Sequence, residues 1–159
     1  MGEHSEVNDL DPHKESVYEW EDTWPGWDKN HITFKACREL VFLACDSYKV
    51  KRPAVVQHPQ RAFSWTMPVR NRMSIQGGKH RGQGGRNVAT AMHEAAHHIA
   101  WQLHNEKIQD HGPIFFGIYL DLLVRARVAP RVALEASARS HGLRWTYPRT
   151  KPVPPRAAS

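Results

Sequence analysis

The sequence predicts an α+β fold, a small sheet flanked by helices, from three observations. Apolar residues recur at helical spacing in several separate stretches, they alternate with polar residues in a short stretch between the first two, and prolines and glycines punctuate the joins. In chain order, Cys37, Leu40, Val41, Ala44, Cys45 and Tyr48 share one face of an amphipathic helix expected from Asn30 to Tyr48. Ala54-Val55-Val56-Gln57, bounded by prolines, predicts a short strand. Phe63, Trp65, Met67 and Val69 alternate with Ser64, Thr66 and Pro68, which predicts a half-buried strand, and Pro68, lacking an N–H, belongs at an edge or a strand end. Met73 to Gln76 is a third strand, and the sheet is expected to be mostly antiparallel. Asn87 is a plausible N-cap for a helix whose Val88, Met92, Ala95, Ile99 and Leu103 form one apolar stripe. Pro113–Val128 predicts the next helix, and a shorter one near Pro130–Ser140 is stopped by Gly142.

Charge is unevenly distributed. Residues 1–30 hold nine acids against Lys14 and Lys29, so a net charge of +6 for the 159 residues hides an acidic arm joined to a body of about +13. The expected organisation is an acidic, Trp-rich arm over residues 1–29, a domain over 30–147, and a basic, Pro-rich tail over 148–159 predicted to be disordered. Val17, Tyr18, Trp20, Trp24 and Trp27 make the arm too apolar to float, and Asp11-Pro12 can start a short helix in it. The arm is therefore expected to dock with its aromatics buried and its acids against basic surface, and deleting residues 1–28 to lower thermal stability. The two cysteines, Cys37 and Cys45, lie eight apart on one predicted helix, about 12 Å along its axis, too far for a disulfide. With no secretory apolar region at the N-terminus and no run of membrane-spanning length, a cytoplasmic, reducing setting without a membrane partner is expected.

The richest segment is His93-Glu94-Ala95-Ala96-His97. Residues four apart on a helix advance about 400°, so both imidazoles lie on one face, one turn apart, where they can take two corners of a tetrahedral zinc site. Glu94 sits about 60° to one side of His97, placed to take a proton from attacking water rather than to ligate. Eleven histidines make a chance HExxH easier, so a core helix and a third ligand decide the matter. His98 is turned about 100° away, and His104 lies about 10 Å further along the axis, beyond the reach of a shared ion. His80 precedes the helix in a Gly-rich stretch. His111 follows a turn from Asn105 to Asp110, at the mouth of the next helix, and can fold back to complete a three-histidine site with one position open.

The order His93-Glu94-x-x-His97, thirteen residues, then His111-Gly112-Pro113-Ile114-Phe115 resembles the SprT/Spartan-like zinc metallopeptidases, in which a third histidine opens the next helix in an HG-P-x-F-type segment. The resemblance covers about Ile32 to Val128 in element order, with its specific motif between His93 and Phe115. It implies a compact zincin-like (minigluzincin-type) core: N-terminal helix, small sheet, HExxH helix and a closing helix carrying the third ligand. It further implies Zn2+ held by His93, His97 and His111, Glu94 as general base, and hydrolysis of peptide bonds in a substrate lying as an extended strand on a sheet edge. Metzincins fit less well, since they would want glycine at Ala100 and histidine at Leu103. Glutamate-ligand zincins would need an acid on the later helices, where only Asp121 and Glu135 stand. The cysteine-rich zinc ribbon of many relatives has no counterpart in a chain with two cysteines.

Two basic stretches bear on partners. Residues 70–86 mix Arg70, Arg72, Lys79, Arg81 and Arg86 with five glycines but form no P-loop. Arg125, Arg127, Arg131, Arg139, Arg144, Arg149, Lys151 and Arg156 follow, with Trp145 and Tyr147 able either to stack on bases or to cap the core. The expected partner is a protein or peptide substrate, with DNA reached through the basic body. The rival expectations are a basic nucleic-acid-binding module with a structural or vestigial zinc site, and a zinc hydrolase with a non-peptide substrate. Tyr119, His141, Tyr147 and several arginines stand as unranked donors to an oxyanion. Oligomeric state is not encoded in any pattern of the chain.

Overall fold

In the computed structural model, which describes residues 13–23, 31–58, 64–76, 86–104 and 110–149, the chain runs α1 (Lys14–Thr23), α2 (Phe34–Ser47), β1 (Ala54–His58), β2 (Trp65–Met67), β3 (Arg72–Gln76), α3 (Val88–His104), α4 (Pro113–Arg125) and α5 (Arg131–Ser140). The class is α+β, as the periodicities predict. Phe63, Trp24, Trp27, Asp11-Pro12, His80 with the Gly-rich stretch, and the tail beyond Arg149 lie outside the described residues.

Helix α2 starts later than the apolar periodicity suggests, and the reason is local. The Thr33 hydroxyl accepts from Ala36 N at 3.1 Å, capping the helix. Ile32, just before it, is held by Arg86 through both its N–H and its carbonyl. Cys37, Val41, Ala44 and Cys45 are buried as predicted, and both thiols are free. Burial pushes Cys37 up to about 11 and Cys45 up to about 12, which makes them inert core residues.

The sheet corrects one expectation. Its order is β1-β3-β2, with β1 parallel to β3 over five residue pairs and β2 antiparallel to β3 over three, so it is mixed rather than mostly antiparallel. Two chain reversals separate β1 from β3 and restore the original direction. The second is a 3-10 turn at Pro68–Arg70, closed by Asn71 in the left-handed region (φ 49°), a conformation asparagine tolerates well. That turn also cuts short the predicted alternating strand. Val69 belongs to the turn and is exposed, as is Met67, while Thr66 reaches α3. Pro68 ends the edge strand, the position its missing donor favours.

Helix α3 is capped by Asn87, whose Oδ1 accepts from Thr90 N at 2.8 Å. It packs against α2, α4 and β2, so residues 91–96 are buried all round instead of along one stripe. Ala91, Ala95, Ala96 and Ala100 let these neighbours approach closely. Leu103, at the far end of the predicted stripe, is exposed. Helix α4 opens with Gly112 as N-cap and Pro113 in its first turn. It stops at Arg125, short of Val128, because Arg127 turns left-handed (φ 59°) and Val128 N bonds back to Leu123 O. Gly117 on α4 is required: a Cβ there would stand 2.1 Å from the carbonyl oxygen of Thr146, where the segment after α5 crosses. That segment places Trp145 and Tyr147 against the core, Trp145 edge-on to Phe116 and Tyr147 donating to Glu135 at 2.7 Å.

The described part of the acidic arm, residues 13–23, packs on the body. Val17 and Trp20 of α1 are fully buried within the same core as α3 and α4. Trp20 meets Phe116 and Tyr119 edge-on and donates from Nε1 to Ser137 Oγ at 3.0 Å. A ten-residue helix is marginal alone in water, so this packing is what holds it. Trp20→Ala is expected to cost about 3–5 kcal/mol, read as a lower denaturant midpoint with little change in slope. The charge expectation is only half met: Glu15, Glu19 and Asp22 face solvent, but Glu21 meets an imidazole, not a basic surface.

Candidate metal centre

Three histidines from two elements converge beneath α1. His93 and His97, one turn apart on α3, and His111, just before α4, form a group that could hold a metal ion. His97 Nε2 stands 3.2 Å from His93 Nε2 and 3.2 Å from His111 Nε2. Ring nitrogens this close are placed as a shared cation would need them. The spacing also fits: metal–nitrogen bonds of about 2.0–2.1 Å at tetrahedral angles put ligand nitrogens about 3.3 Å apart. The remaining histidines do not join. His98 donates from Nε2 to Lys51 O at 2.6 Å on another side of α3, and His104 is exposed.

The surroundings prepare the rings as ligands. His93 Nδ1 is 2.5 Å from Glu21 Oε1, so Nδ1 carries the proton and Nε2 offers its lone pair to the centre. Burial favours the neutral ring of His93, but the Glu21 carboxylate outweighs it and raises the pKa, so a metal ion would take the place of a second proton on Nε2. For His97, burial and then the charges of His93 and His111 push the pKa well below the ordinary value, which keeps the ring neutral. Phe115 stacks on His97 with ring centroids 4.3 Å apart, and Tyr18 lies parallel to His93 at 5.8 Å. These ring contacts hold the imidazole planes.

Glu94 is buried beside the histidines, and burial raises its pKa above the ordinary carboxylate value. Thr66 of β2 donates its hydroxyl to Glu94 Oε2 at 2.5 Å, which works the other way and favours the charged form. Glu94, His97 and His111 line a cleft of about 210 Å3 together with Tyr18, Ser64, Trp65, Thr66, Pro68, Ala100, Trp101 and Asp110. The edge strand β2 thus forms one wall of the cleft and the HExxH helix another.

Glu21, Tyr18 and Thr66 are the site residues that sequence reasoning did not find. A histidine ligand calls for a carboxylate or carbonyl on its second nitrogen, but nine acids in the first thirty residues gave no means of choosing Glu21. Among the proposed oxyanion donors, Tyr119 packs on His93 and is fully buried, and burial, with the Glu21 carboxylate nearby, lifts its pKa well above normal. His141 is engaged by Thr23 and Ser137. Tyr147 lines a separate cleft of about 300 Å3 with Tyr48, Asp121, Arg125 and Arg131. Tyr18 is the tyrosine on the wall of the histidine cleft. Asp121 and Glu135, the acids of the glutamate-ligand alternative, are committed elsewhere: Asp121 to Tyr48, Arg125 and Arg131, and Glu135 to Tyr147. Among the described residues no helix is long and apolar enough to cross a membrane. Comparison with protein-family models, curated proteins and solved structures gives no match.

Proposed function

We propose that this chain is a zinc-dependent metallopeptidase of the SprT/Spartan-like kind, with a minigluzincin-type core, acting on peptide bonds. The observation that carries the reading is the meeting of three histidine side chains at a cleft that His97, His111, the buried Glu94 and residues of the edge strand β2 line together. His93, His97 and His111 hold the ion, and Zn2+ is the metal that three neutral imidazoles with an open position suit best. When bound, it supplies Lewis acidity, which activates water and polarises a carbonyl.

The protein's own residues do the rest. Glu94 Oε2 is committed to Thr66, which leaves Oε1 to accept a proton from the attacking water and later to pass it to the leaving amine. A carboxylate whose pKa is raised by burial is better matched to both transfers near neutrality than an exposed one. Among the described residues strand β2 pairs with β3 alone, and its Trp65 and Thr66 line the cleft, so an extended peptide can add along it as a further strand. Trp65, Trp101 and Tyr18 offer apolar walls to its side chains. Action on DNA-associated proteins follows from the resemblance together with the basic body. It requires DNA affinity that falls steeply with salt.

Thr66→Val tests the general-base role directly. Losing a donor to a charged acceptor is worth about 1.5–3 kcal/mol, so kcat/KM for casein-type proteolysis should fall by one to two orders of magnitude. Because the Thr66 hydroxyl lowers the Glu94 pKa and the base must be ionised, the acid limb of the pH profile should also move to higher pH. An unmoved limb would remove Glu94 from the base role.

A further inference from the structure

The acidic arm reaches the histidine centre through two residues of α1. Glu21 and Tyr18 lie three apart on α1, hence on one face, and both meet His93: Glu21 at Nδ1, Tyr18 along the ring. Tyr18 also contacts His111, with ring centroids 5.5 Å apart. Neighbouring Trp20 anchors the helix in the core from a second face. The carboxylate that orients a ligand histidine is therefore not on the scaffold of α3 and α4. It is on a short N-terminal helix held chiefly by side-chain packing.

We infer that Glu21 is a positioning residue for His93, and that metal binding and docking of α1 are one linked equilibrium. The inference rests on the three-histidine reading of the centre but not on peptidase activity. With α1 docked, Glu21 fixes the His93 tautomer that leaves Nε2 free for the ion, and it stabilises the positive charge that the ion brings. With α1 undocked, the ring loses its partner and the cleft loses the Tyr18 wall. Linkage makes the effect reciprocal: whatever factor docking adds to metal affinity, the metal adds to docking. The arm is in this sense a part of the centre that the chain can add or withdraw.

The test uses the full chain with Zn2+ alone, titrated against a competing chromophoric chelator. Glu21→Gln keeps the size and an acceptor for the Nδ1 proton while removing the charge. Zinc affinity should drop by about 10–100-fold, with the melting temperature of the metal-free chain little changed. Glu15→Gln, the same charge change on the exposed side of α1, should leave affinity as it is. A merely structural role for Glu21 would lower the melting temperature and leave the affinity of the folded chain alone. Should Glu21→Gln not fold, hydrogen exchange on the native chain decides: zinc should slow exchange in α1 more than in α5. Equal affinity in wild type and Glu21→Gln, an equal loss in Glu15→Gln, or exchange in α1 indifferent to zinc would overturn the inference. A native chain that binds zinc in this way but cleaves no protein would overturn the peptidase reading and leave this one standing. A chain that takes up no zinc would overturn both.

Discussion

Glu94→Gln is expected to lower peptide hydrolysis by about 10²–10⁴-fold, the usual contribution of a positioned acid–base group, while zinc content stays at the wild-type level. The substitution is nearly isosteric, and the amide oxygen can still accept from Thr66 Oγ1. What it removes is the group that takes the proton. Kinetics and metal analysis on the same samples separate this role from ligation, because a ligand's loss would lower both. The rivals give different patterns. A nucleic-acid-binding module would keep its binding after Glu94→Gln and show no hydrolysis in the native form. A structural zinc protein would unfold with chelator and turn nothing over. A hydrolase of another bond would need Glu94 and yet leave proteins intact.

His111→Ala is expected to release the metal. Zinc sites built from four protein ligands bind with about 10–16 kcal/mol, so one ligand is worth about 3–4 kcal/mol, or two to three orders of magnitude in affinity. The residue is buried against His97, Phe115 and Tyr18, so its removal also leaves a hole in the aromatic shell. Dialysis followed by metal analysis reads the result, and proteolysis should disappear with the zinc. Full retention of zinc would mean that the third corner is filled by another group.

Much of this site was legible because helical geometry is short-ranged and strict. Four residues on a helix fix where His93 and His97 point, and the same arithmetic excludes His98 and His104, as their positions in the structure agree. His111 could be chosen because Gly112-Pro113 announces a new helix directly after it. The sheet was less legible. Strand direction depends on how many reversals the chain makes, and the turn at Pro68–Asn71 looks like more strand when only alternation is read. Least legible was Glu21. Its partner lies seventy-two residues away, and nothing in the local pattern of an acidic helix distinguishes a carboxylate facing water from one that orients an imidazole. The burial of α1 could be anticipated from Trp20 and Val17, whereas the partner of each acid could not.

We propose that His93, His97 and His111 hold a zinc ion that works with Glu94 on peptide bonds. Cleavage of an unstructured protein such as casein, measured side by side for the native chain and Glu94→Gln with zinc content determined on both, tests it most directly. One zinc per chain is expected in each, with cleavage by the native chain and almost none by the variant. Equal cleavage by the two, or a zinc-loaded native chain that cleaves nothing, would contradict it.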